Sequence, residues 1–544
     1  MADSQPLNRQ AISRSCVFAE LVWLPILPRS WIARPGAIAA ALSLVVAAWL
    51  LSPRHAHALP QWRENGAASF TSVPEHETPL AQANTNSRDA QQNYALGNKK
   101  LNAGDFNAAI PLFQRAIELD PNFAMAYMAL GLAYRNLKQY GPATENLQKA
   151  FDLSDRAGDK EKLMISANYH SLDTGDLDKA SQAYEQWAQK YSADYVPHNN
   201  LGVIYGYLGR YDKQRDEFLE ALRLKPDSAL VYANLVSAYS HLYRLGDAKT
   251  TYERALARNL ESPKLHYYRY GVAFLEGDAA EMERQSAWSA GRPGSDDILL
   301  SLQSDTEASS GHLGKARQLS RRASESAQRV GENEAAAGRE MNAALREAEF
   351  GNAVQARSQT ASALALDSTQ GTQILAAVVL ARAGDSDRAQ KMADDLEKQS
   401  PLNTTINGYW LPTIRASLEL NRQNPSKAVE ILETATPYEL GEPDPAPEVG
   451  GFLYPIFLRG QAYLALGQGS ASAAEFRKFI DHRGVVINCP LGALAYLGLA
   501  RAYGLQGDTS KTRAAYQDFL ALWKDADPDI PVLIAAKAEY AKLQ

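Results

Sequence analysis

The sequence contains little cysteine and no pattern of metal ligands. Only two cysteines occur among 544 residues, and Cys16 and Cys489 lie on opposite sides of an uncharged stretch of 17 residues, Gly36–Ser52. An intrachain disulfide is therefore not expected, and two sulfurs are too few for a cysteine-based metal site. The nine histidines are scattered, with no pair at ligand spacing inside one predicted helix. We predict no metal and no cofactor.

The chain also lacks an excess of basic charge. It has 56 lysines and arginines against 62 acidic residues, a net charge of −6. Nucleic-acid binding needs a clustered basic surface, so we predict no nucleic-acid partner. The usual catalytic signatures are missing as well: the sequence has no His-Glu-x-x-His, no Gly-x-Ser-x-Gly and no Walker loop. We predict that the protein is not an enzyme.

One long uncharged run is present, near the N-terminus. Gly36–Ser52 has the sequence GAIAAALSLVVAAWLLS, which is at the short end of what spans a bilayer. Arginines precede it and predict a cytoplasmic tail over residues 1–35, with the rest of the chain outside. A single-pass anchor is the favoured interpretation. The alternative is a signal peptide cleaved near Ala58, because Ala-His-Ala has the small-x-small form of a cleavage site. Residues 53–88 are predicted to be a flexible linker.

The rest of the chain repeats itself. Units are predicted to start at Ala90, Ala124, Glu161, Tyr195, Ala229, Pro263 and Asp297, and from Glu161 onward the steps are 34 residues. The clearest units share a small residue in the first helix (Gly97, Gly131, Gly202) or alanine in the second (Ala109, Ala143, Ala248). A large residue follows four positions after the second small-residue slot (Phe113, Leu147, Phe218, Tyr252). Because residues four apart share a helix face, the large side chain fills the space that the small ones leave.

This period and residue pattern resemble the tetratricopeptide repeat, a helix-turn-helix unit. The resemblance implies an all-α, right-handed α-solenoid of about twelve units that follows one N-terminal membrane helix. Well-formed units are predicted over residues 89–262 and degenerate ones over 263–436. A Pro/Gly-rich break that cannot be helical throughout follows at 437–451, and C-terminal units occupy 452–544.

The tail, His482–Gln544, resembles more specifically the C-terminal end of eukaryotic-like serine/threonine kinases that are abundant in acidobacteria. Those proteins carry a cytoplasmic kinase domain, one membrane helix and then such a repeat region. This chain has only about 35 residues before the apolar run, with no Gly-rich loop, His-Arg-Asp or Asp-Phe-Gly. Kinase activity is therefore not carried over. The resemblance implies a bacterial inner-membrane protein with its repeats in the periplasm, or the sensor arm of a kinase system.

Candidate binding residues lie where the first helices of the solenoid would form a concave groove. Asn200 and Asn234 occupy the same position of successive units, and an amide can donate to and accept from an extended peptide. The alternative is a pair of ordinary surface asparagines. Tyr207 and Tyr267 are predicted to face the groove as rigid contact area, with His241 nearby. We expect a scaffold that binds a protein or peptide; the alternatives are the kinase arm and a self-associating structural envelope protein.

Overall fold

The computed structural model describes residues 85–137, 139–292, 294–445 and 453–543. The predicted cytoplasmic tail, membrane segment and most of the linker lie outside these residues. Within them the chain forms 26 α-helices and no strand, so the predicted all-α class is confirmed for the described part of the chain. The helices form a TPR-like solenoid.

Successive helices pack as twelve pairs over the described ranges. The first six pairs are α1 (Arg88–Asn102) with α2 (Phe106–Leu119), α3 (Ala124–Asn136) with α4 (Tyr140–Asp152), α5 (Asp159–Asn168) with α6 (Leu177–Lys190), α7 (Tyr195–Tyr207) with α8 (Tyr211–Leu224), α9 (Ala229–His241) with α10 (Leu245–Ala257), and α11 (Pro263–Glu276) with α12 (Ala279–Ser289). Their first helices begin within two residues of the predicted unit starts.

The remaining pairs include those whose repeat pattern is weak in the sequence. They are α13 (Asp296–Ser309) with α14 (Leu313–Arg329), α15 (Asn333–Glu349) with α16 (Ala353–Leu366), α17 (Gln370–Arg382) with α18 (Ser386–Gln399), α19 (Leu411–Asn421) with α20 (Pro425–Glu433), α21 (Tyr454–Ala465) with α22 (Gly469–Asp481), and α24 (Leu491–Leu505) with α25 (Thr509–Leu522). A short α23 (Arg483–Val486) precedes the twelfth pair, and α26 (Pro531–Ala541) follows it.

Close packing inside a pair depends on glycine in the first helix. A Cβ atom placed on Gly202 would lie 2.4 Å from the Phe218 ring, and one on Gly97 would lie 2.5 Å from the Phe113 ring. At Gly131 the corresponding atom would lie 2.9 Å from Leu147. The predicted contact between the small residue of the first helix and the large residue of the second is confirmed in these pairs.

A Gly-Asp turn separates the two helices in several pairs. In pair 1, Gly104 has φ +73°, a conformation that glycine adopts without a steric penalty. The next residue, Asp105, caps α2, since its side chain accepts a hydrogen bond from the backbone N–H of Ala108. The same cap is made by Asp278 and Asp508. Each cap satisfies an N–H group that has no partner within the helix, so the turn fixes where the second helix begins.

The solenoid path returns over itself. The connection after pair 9 contacts pair 3, where the Thr404 N–H donates to the Gly175 carbonyl at 3.0 Å. The connection after pair 10 contacts pair 4, where the Glu442 N–H donates to the Gly206 carbonyl at 3.3 Å. The connection after pair 11 contacts pair 5, because a Cβ on Gly484 would lie 2.2 Å from the Ser240 carbonyl oxygen. The offset is six pairs in each case.

Further contacts continue this arrangement toward the C-terminus. Asn488 donates to the Leu302 carbonyl at 2.9 Å. The Trp523 indole donates to the Ser309 carbonyl at 3.0 Å, and the Val532 N–H donates to the Phe350 carbonyl at 3.3 Å. The C-terminal part of the solenoid therefore contacts the region from pair 3 to pair 8.

This return buries first helices on all their faces. Every residue from Val231 to His241 in α9 is buried, as is every residue from Ile374 to Ala381 in α17. A helix that is covered all round needs small or apolar residues on every side, and α17 supplies them with the sequence ILAAVVLA. These first helices do not line an open groove in this conformation.

Candidate peptide-binding surface

The two asparagines predicted to bind a peptide lie side by side in pairs 4 and 5. Asn234 donates to the Oδ1 atom of Asn199 at 3.0 Å, and Asn199 donates to the Oδ1 atom of Asn200 at 3.1 Å. Asn200 in turn donates to the Tyr184 hydroxyl at 3.0 Å. The result is a continuous chain of hydrogen bonds that crosses from pair 3 to pair 5.

This network gives both asparagines a structural role. Asn200 is 3% exposed and Asn234 is 4% exposed, and a buried amide is costly unless it is hydrogen-bonded. The chain of amides meets that requirement without a ligand. That these two residues bind a partner stays a prediction. Asn199, which links them, was not singled out from the sequence.

His241 lies close to the same helices and faces a segment from pair 10. Its Nε2 atom is 3.0 Å from the Glu442 carboxylate, and its Nδ1 atom is 3.1 Å from the Gln214 side-chain oxygen. The imidazole also packs on the Tyr211 ring at 4.5 Å between centroids. His241 is 7% exposed and therefore does not face solvent.

A non-helical segment of the chain itself, which begins with a turn at Glu439 and Leu440, packs against this surface. We call residues 439–445, with the sequence ELGEPDP, the strap. The Glu442 N–H donates to the Gly206 carbonyl at 3.3 Å, the Tyr211 hydroxyl donates to the Leu440 carbonyl, and the Trp410 indole donates to the Asp444 carbonyl at 3.3 Å. Three of its main-chain groups are therefore bound by other parts of the fold.

The strap approaches pair 4 so closely that only glycine fits at its centre. A Cβ on Gly441 would lie 2.1 Å from the Tyr207 carbonyl oxygen and 2.9 Å from the Tyr207 carbonyl carbon. Cβ atoms in proteins do not come this close to other atoms. Both Tyr207 atoms belong to the backbone, so they cannot move aside as the end of a flexible side chain could. On the other side of the contact, Gly209 has φ +67°, and a Cβ there would lie 2.9 Å from the Leu440 carbonyl carbon.

Charged residues fix the start of the strap. The Glu439 carboxylate pairs with Arg459 and, at 2.8 Å, with Lys478. Glu475 joins the same cluster at 2.8 Å from Arg459.

Burial raises the pKa of Tyr211 well above its usual value, and the nearby Glu442 carboxylate acts in the same direction. The Tyr211 hydroxyl therefore stays protonated and able to donate to the strap.

The two predicted groove tyrosines occupy different places. Tyr207 lies at the end of α7 beneath Gly441 and is half-buried. Tyr267 lies in α11, where its ring meets that of Tyr268 edge-on at 4.9 Å. It packs with a separate apolar cluster that contains Ile487. Tyr207 therefore belongs to the surface that the strap covers, whereas Tyr267 belongs to the contact between pair 6 and the connection after pair 11.

Sequence reasoning missed the strap and a second buried polar group. The sequence pattern predicts only a break over residues 437–451 and does not mark the strap as a segment that contacts pair 4. The second group joins pairs 7 and 8, where Arg346 donates to Asp305 at 2.9 Å and Asn342 donates to the same carboxylate at 2.9 Å. Nothing in the repeat pattern marks these residues.

Family models confirm the repeat type at both ends of the solenoid. A TPR repeat model matches residues 97–138, and tetratricopeptide repeat models match residues 124–156, 197–228 and 457–529. The protein is thus a helical-repeat protein. The matched parts are similar to tetratricopeptide repeats, a type that suggests a scaffold for protein interaction.

Individual relatives share parts of the repeat region. The chain is 29% identical over 175 residues to superkiller protein 3 of Schizosaccharomyces pombe, which is 31% of this chain and 12% of that protein. It is 29% identical over 180 residues to BBSome complex member BBS4 of Bos taurus, 32% of each chain. The chain therefore spans well under half the length of either relative. A crystal structure of PilW, a type IV pilus biogenesis factor, matches 38% of this chain and 94% of that one at 15% identity, with a TM-score of 0.33.

Two properties of the described residues bear on the other predictions. Over these ranges no group of three or more histidine, cysteine, aspartate or glutamate side chains is arranged to hold a metal ion. Among the helices that the structure describes, none combines the length and the apolar character needed to cross a bilayer. The predicted membrane segment, Gly36–Ser52, lies outside those residues.

Proposed function

We propose that this chain is a non-catalytic scaffold that binds a protein or an extended peptide on the first helices of its solenoid. One observation carries the proposal: pair 4 already holds a non-helical segment of polypeptide, the strap, through its main chain, and His241 of pair 5 contacts the Glu442 side chain. The Gly206 carbonyl and the Tyr211 hydroxyl contact backbone groups of the strap. Such contacts depend little on side-chain identity, and alternate side chains then add specificity, as in other modes of extended-peptide recognition.

A photo-crosslinking residue tests the scaffold function. It replaces Tyr243, a 46% exposed residue two positions after His241, and in a matched control it replaces Leu219, a 41% exposed residue of α8. The full-length chain is expressed in its own cells and irradiated. We expect one reproducible adduct from position 243 that the control does not form. Equal capture at both positions, or none at either, contradicts the proposal for this surface.

We further propose that the solenoid is held outside the cytoplasm by Gly36–Ser52, with the repeats in the periplasm of a bacterium. The arginines before this segment and its uncharged sequence support the orientation. Protease added to spheroplasts should then digest the repeats of a chain that stays with the membrane. Release of the solenoid into the soluble periplasmic fraction, with a new N-terminus near Ala58, would instead identify a cleaved signal peptide.

The resemblance of the tail to the repeat region of serine/threonine kinases favours a second role, that of the sensor arm of such a system. In this case the partner is a protein with a catalytic domain on the cytoplasmic side of the membrane. Its presence among the adducts of the crosslinking experiment would support this role. Self-association into an envelope structure is the third role, and light scattering distinguishes it, because the mass would then rise with concentration.

A further inference from the structure

The strap has the chemistry of a bound ligand. It turns at Glu439 and Leu440, where the Gly441 N–H donates to the Tyr438 carbonyl at 2.8 Å, and it carries three acidic residues in seven positions. Its main chain is held at Leu440, Glu442 and Asp444. The Glu442 side chain contacts pair 5, where its carboxylate lies 3.0 Å from the His241 Nε2 atom.

The receiving surface selects for particular features of such a ligand. The close approach to the Tyr207 carbonyl admits only glycine at the central position. The His241 imidazole favours a carboxylate at the next position, and a charge-assisted hydrogen bond is stronger than a neutral one. A donor N–H is required at the same position to reach the Gly206 carbonyl. The preferred sequence is therefore an apolar residue, glycine and glutamate, with the apolar residue in a turn as Leu440 is.

We propose that this surface is the docking site for an acidic peptide with a Gly-Glu centre, supplied by a partner protein, and that the strap is its competitor within the chain. The inference rests on the proposed scaffold function and specifies the ligand of that same surface. A covalently attached segment acts at a high effective concentration. The partner peptide thus binds only the fraction of molecules whose strap has left, and its apparent affinity falls by that fraction.

The substitution Gly441→Ala frees the surface without altering it. The added methyl group collides with the Tyr207 backbone, whereas the φ angle of Gly441 is not in the left-handed region, so alanine is unstrained in a released strap. Gly246→Ala is the matched control, because a Cβ there meets nothing within 4 Å. Glu442→Ala is a milder alternative that loosens the strap by removing the contact with His241, should Gly441→Ala fail to fold.

The probe is a fluorescein-labelled synthetic peptide with the sequence of residues 436–445, TPYELGEPDP, and fluorescence anisotropy measures its binding to the full-length chain in detergent. We expect Gly441→Ala to bind this peptide at least about tenfold more tightly than the wild type or Gly246→Ala. A second peptide with alanine in place of its glycine should not bind, because it carries the same collision. Hydrogen exchange of the fragment that contains Glu442 verifies that the strap has left in the variant.

Equal affinity for wild type and Gly441→Ala overturns the proposal, as does equal affinity for the two peptides. Unchanged exchange protection at Glu442 in both Gly441→Ala and Glu442→Ala also overturns it, since the strap would then not be a separable ligand. These failures remain distinct from failure of the scaffold function, because crosslinking at Tyr243 detects a partner whatever the sequence of its contact segment.

Discussion

The buried pair of Asp305 and Arg346 provides a quantitative test of whether the interior between pairs 7, 8 and the connection after pair 11 is closed to water. Both residues are 4% exposed, and their side chains meet at 2.9 Å. Asn342 and Ser320 supply further hydrogen bonds, at 2.9 Å to the carboxylate and 2.8 Å from the guanidinium. Asp305→Ala leaves a buried guanidinium with Ser320 as its remaining partner in this group.

The expected cost follows from this burial. Removing one partner of a buried ion pair destabilises a protein by about 3–5 kcal/mol, because the remaining charge is uncompensated, whereas an exposed pair contributes roughly 0–1 kcal/mol. We expect about 3–5 kcal/mol for Asp305→Ala. The double variant Asp305→Ala with Arg346→Met should cost less than the sum of the two single changes, since neither charge is then left alone.

Native-state hydrogen exchange of α13 and α15 measures the loss locally, which suits a long repeat array that does not unfold in one step. Helix α1 serves as an internal reference, because it has no contact with the pair. A decrease of less than about 1 kcal/mol in the free energy of unfolding for Asp305→Ala, with no coupling in the double variant, would indicate that the pair is exposed to water. It would refute the claim that the returning chain closes this interior.

Three further predictions concern packing and pH. Gly202→Ala should destabilise pair 4 by about 1–3 kcal/mol in urea denaturation, because its methyl group would overlap the Phe218 ring, whereas a neutral or stabilising effect would show that the helices are not tightly packed. Burial lowers the pKa of His266 from 6.5, and its hydrogen bond to Gln285 opposes the shift. A histidine whose pKa is lower in the folded state makes the fold most stable above the pKa of the unfolded state, and the free energy of unfolding decreases as the pH falls below that pKa. Exchange protection of α11 should thus fall below about pH 6.5, and His266→Gln should remove that dependence. Burial raises the pKa of Glu539, but hydrogen bonds from Arg501 and Tyr516 outweigh it and lower the net pKa from 4.5, so the docking of α26 is strong above that value and weakens as the pH falls through the folded-state pKa. Glu539→Gln should loosen α26 at neutral pH, as limited proteolysis near the C-terminus would report; unchanged resistance would contradict this role.

The repeat could be predicted from the sequence because its determinants are local. The glycine of a first helix and the large residue of the second lie within one unit, as Gly202 and Phe218 do, and their contact follows from helix geometry alone. The Gly-Asp turns are equally local, since Asp105 caps the helix that it starts. The same short-range rules also predict the weak central units, where alanine is kept at the repeat positions but most of the other repeat residues are not.

The candidate site could not be predicted in the same way, because the position of the groove depends on contacts between residues far apart in sequence. Asn200 and Asn234 fit a local rule for peptide binding, yet Gly206 and His241, near the ends of the same two helices, contact Glu442, more than 200 residues later. Whether a first helix faces solvent or another layer depends on the rotation accumulated over six pairs. No single unit specifies that rotation.

The return of the chain also changes how the solenoid should be expected to unfold. In an open array each repeat contacts only its neighbours, so stability is roughly a sum of nearest-neighbour contributions and folding propagates along one dimension. Here the connection after pair 10 lies on pair 4, and the Glu442 N–H reaches the Gly206 carbonyl. Loss of pair 10 therefore removes contacts from pair 4 although five pairs separate them. Units six apart are coupled, and a ligand that displaced the strap would act on pair 4 and pair 10 together.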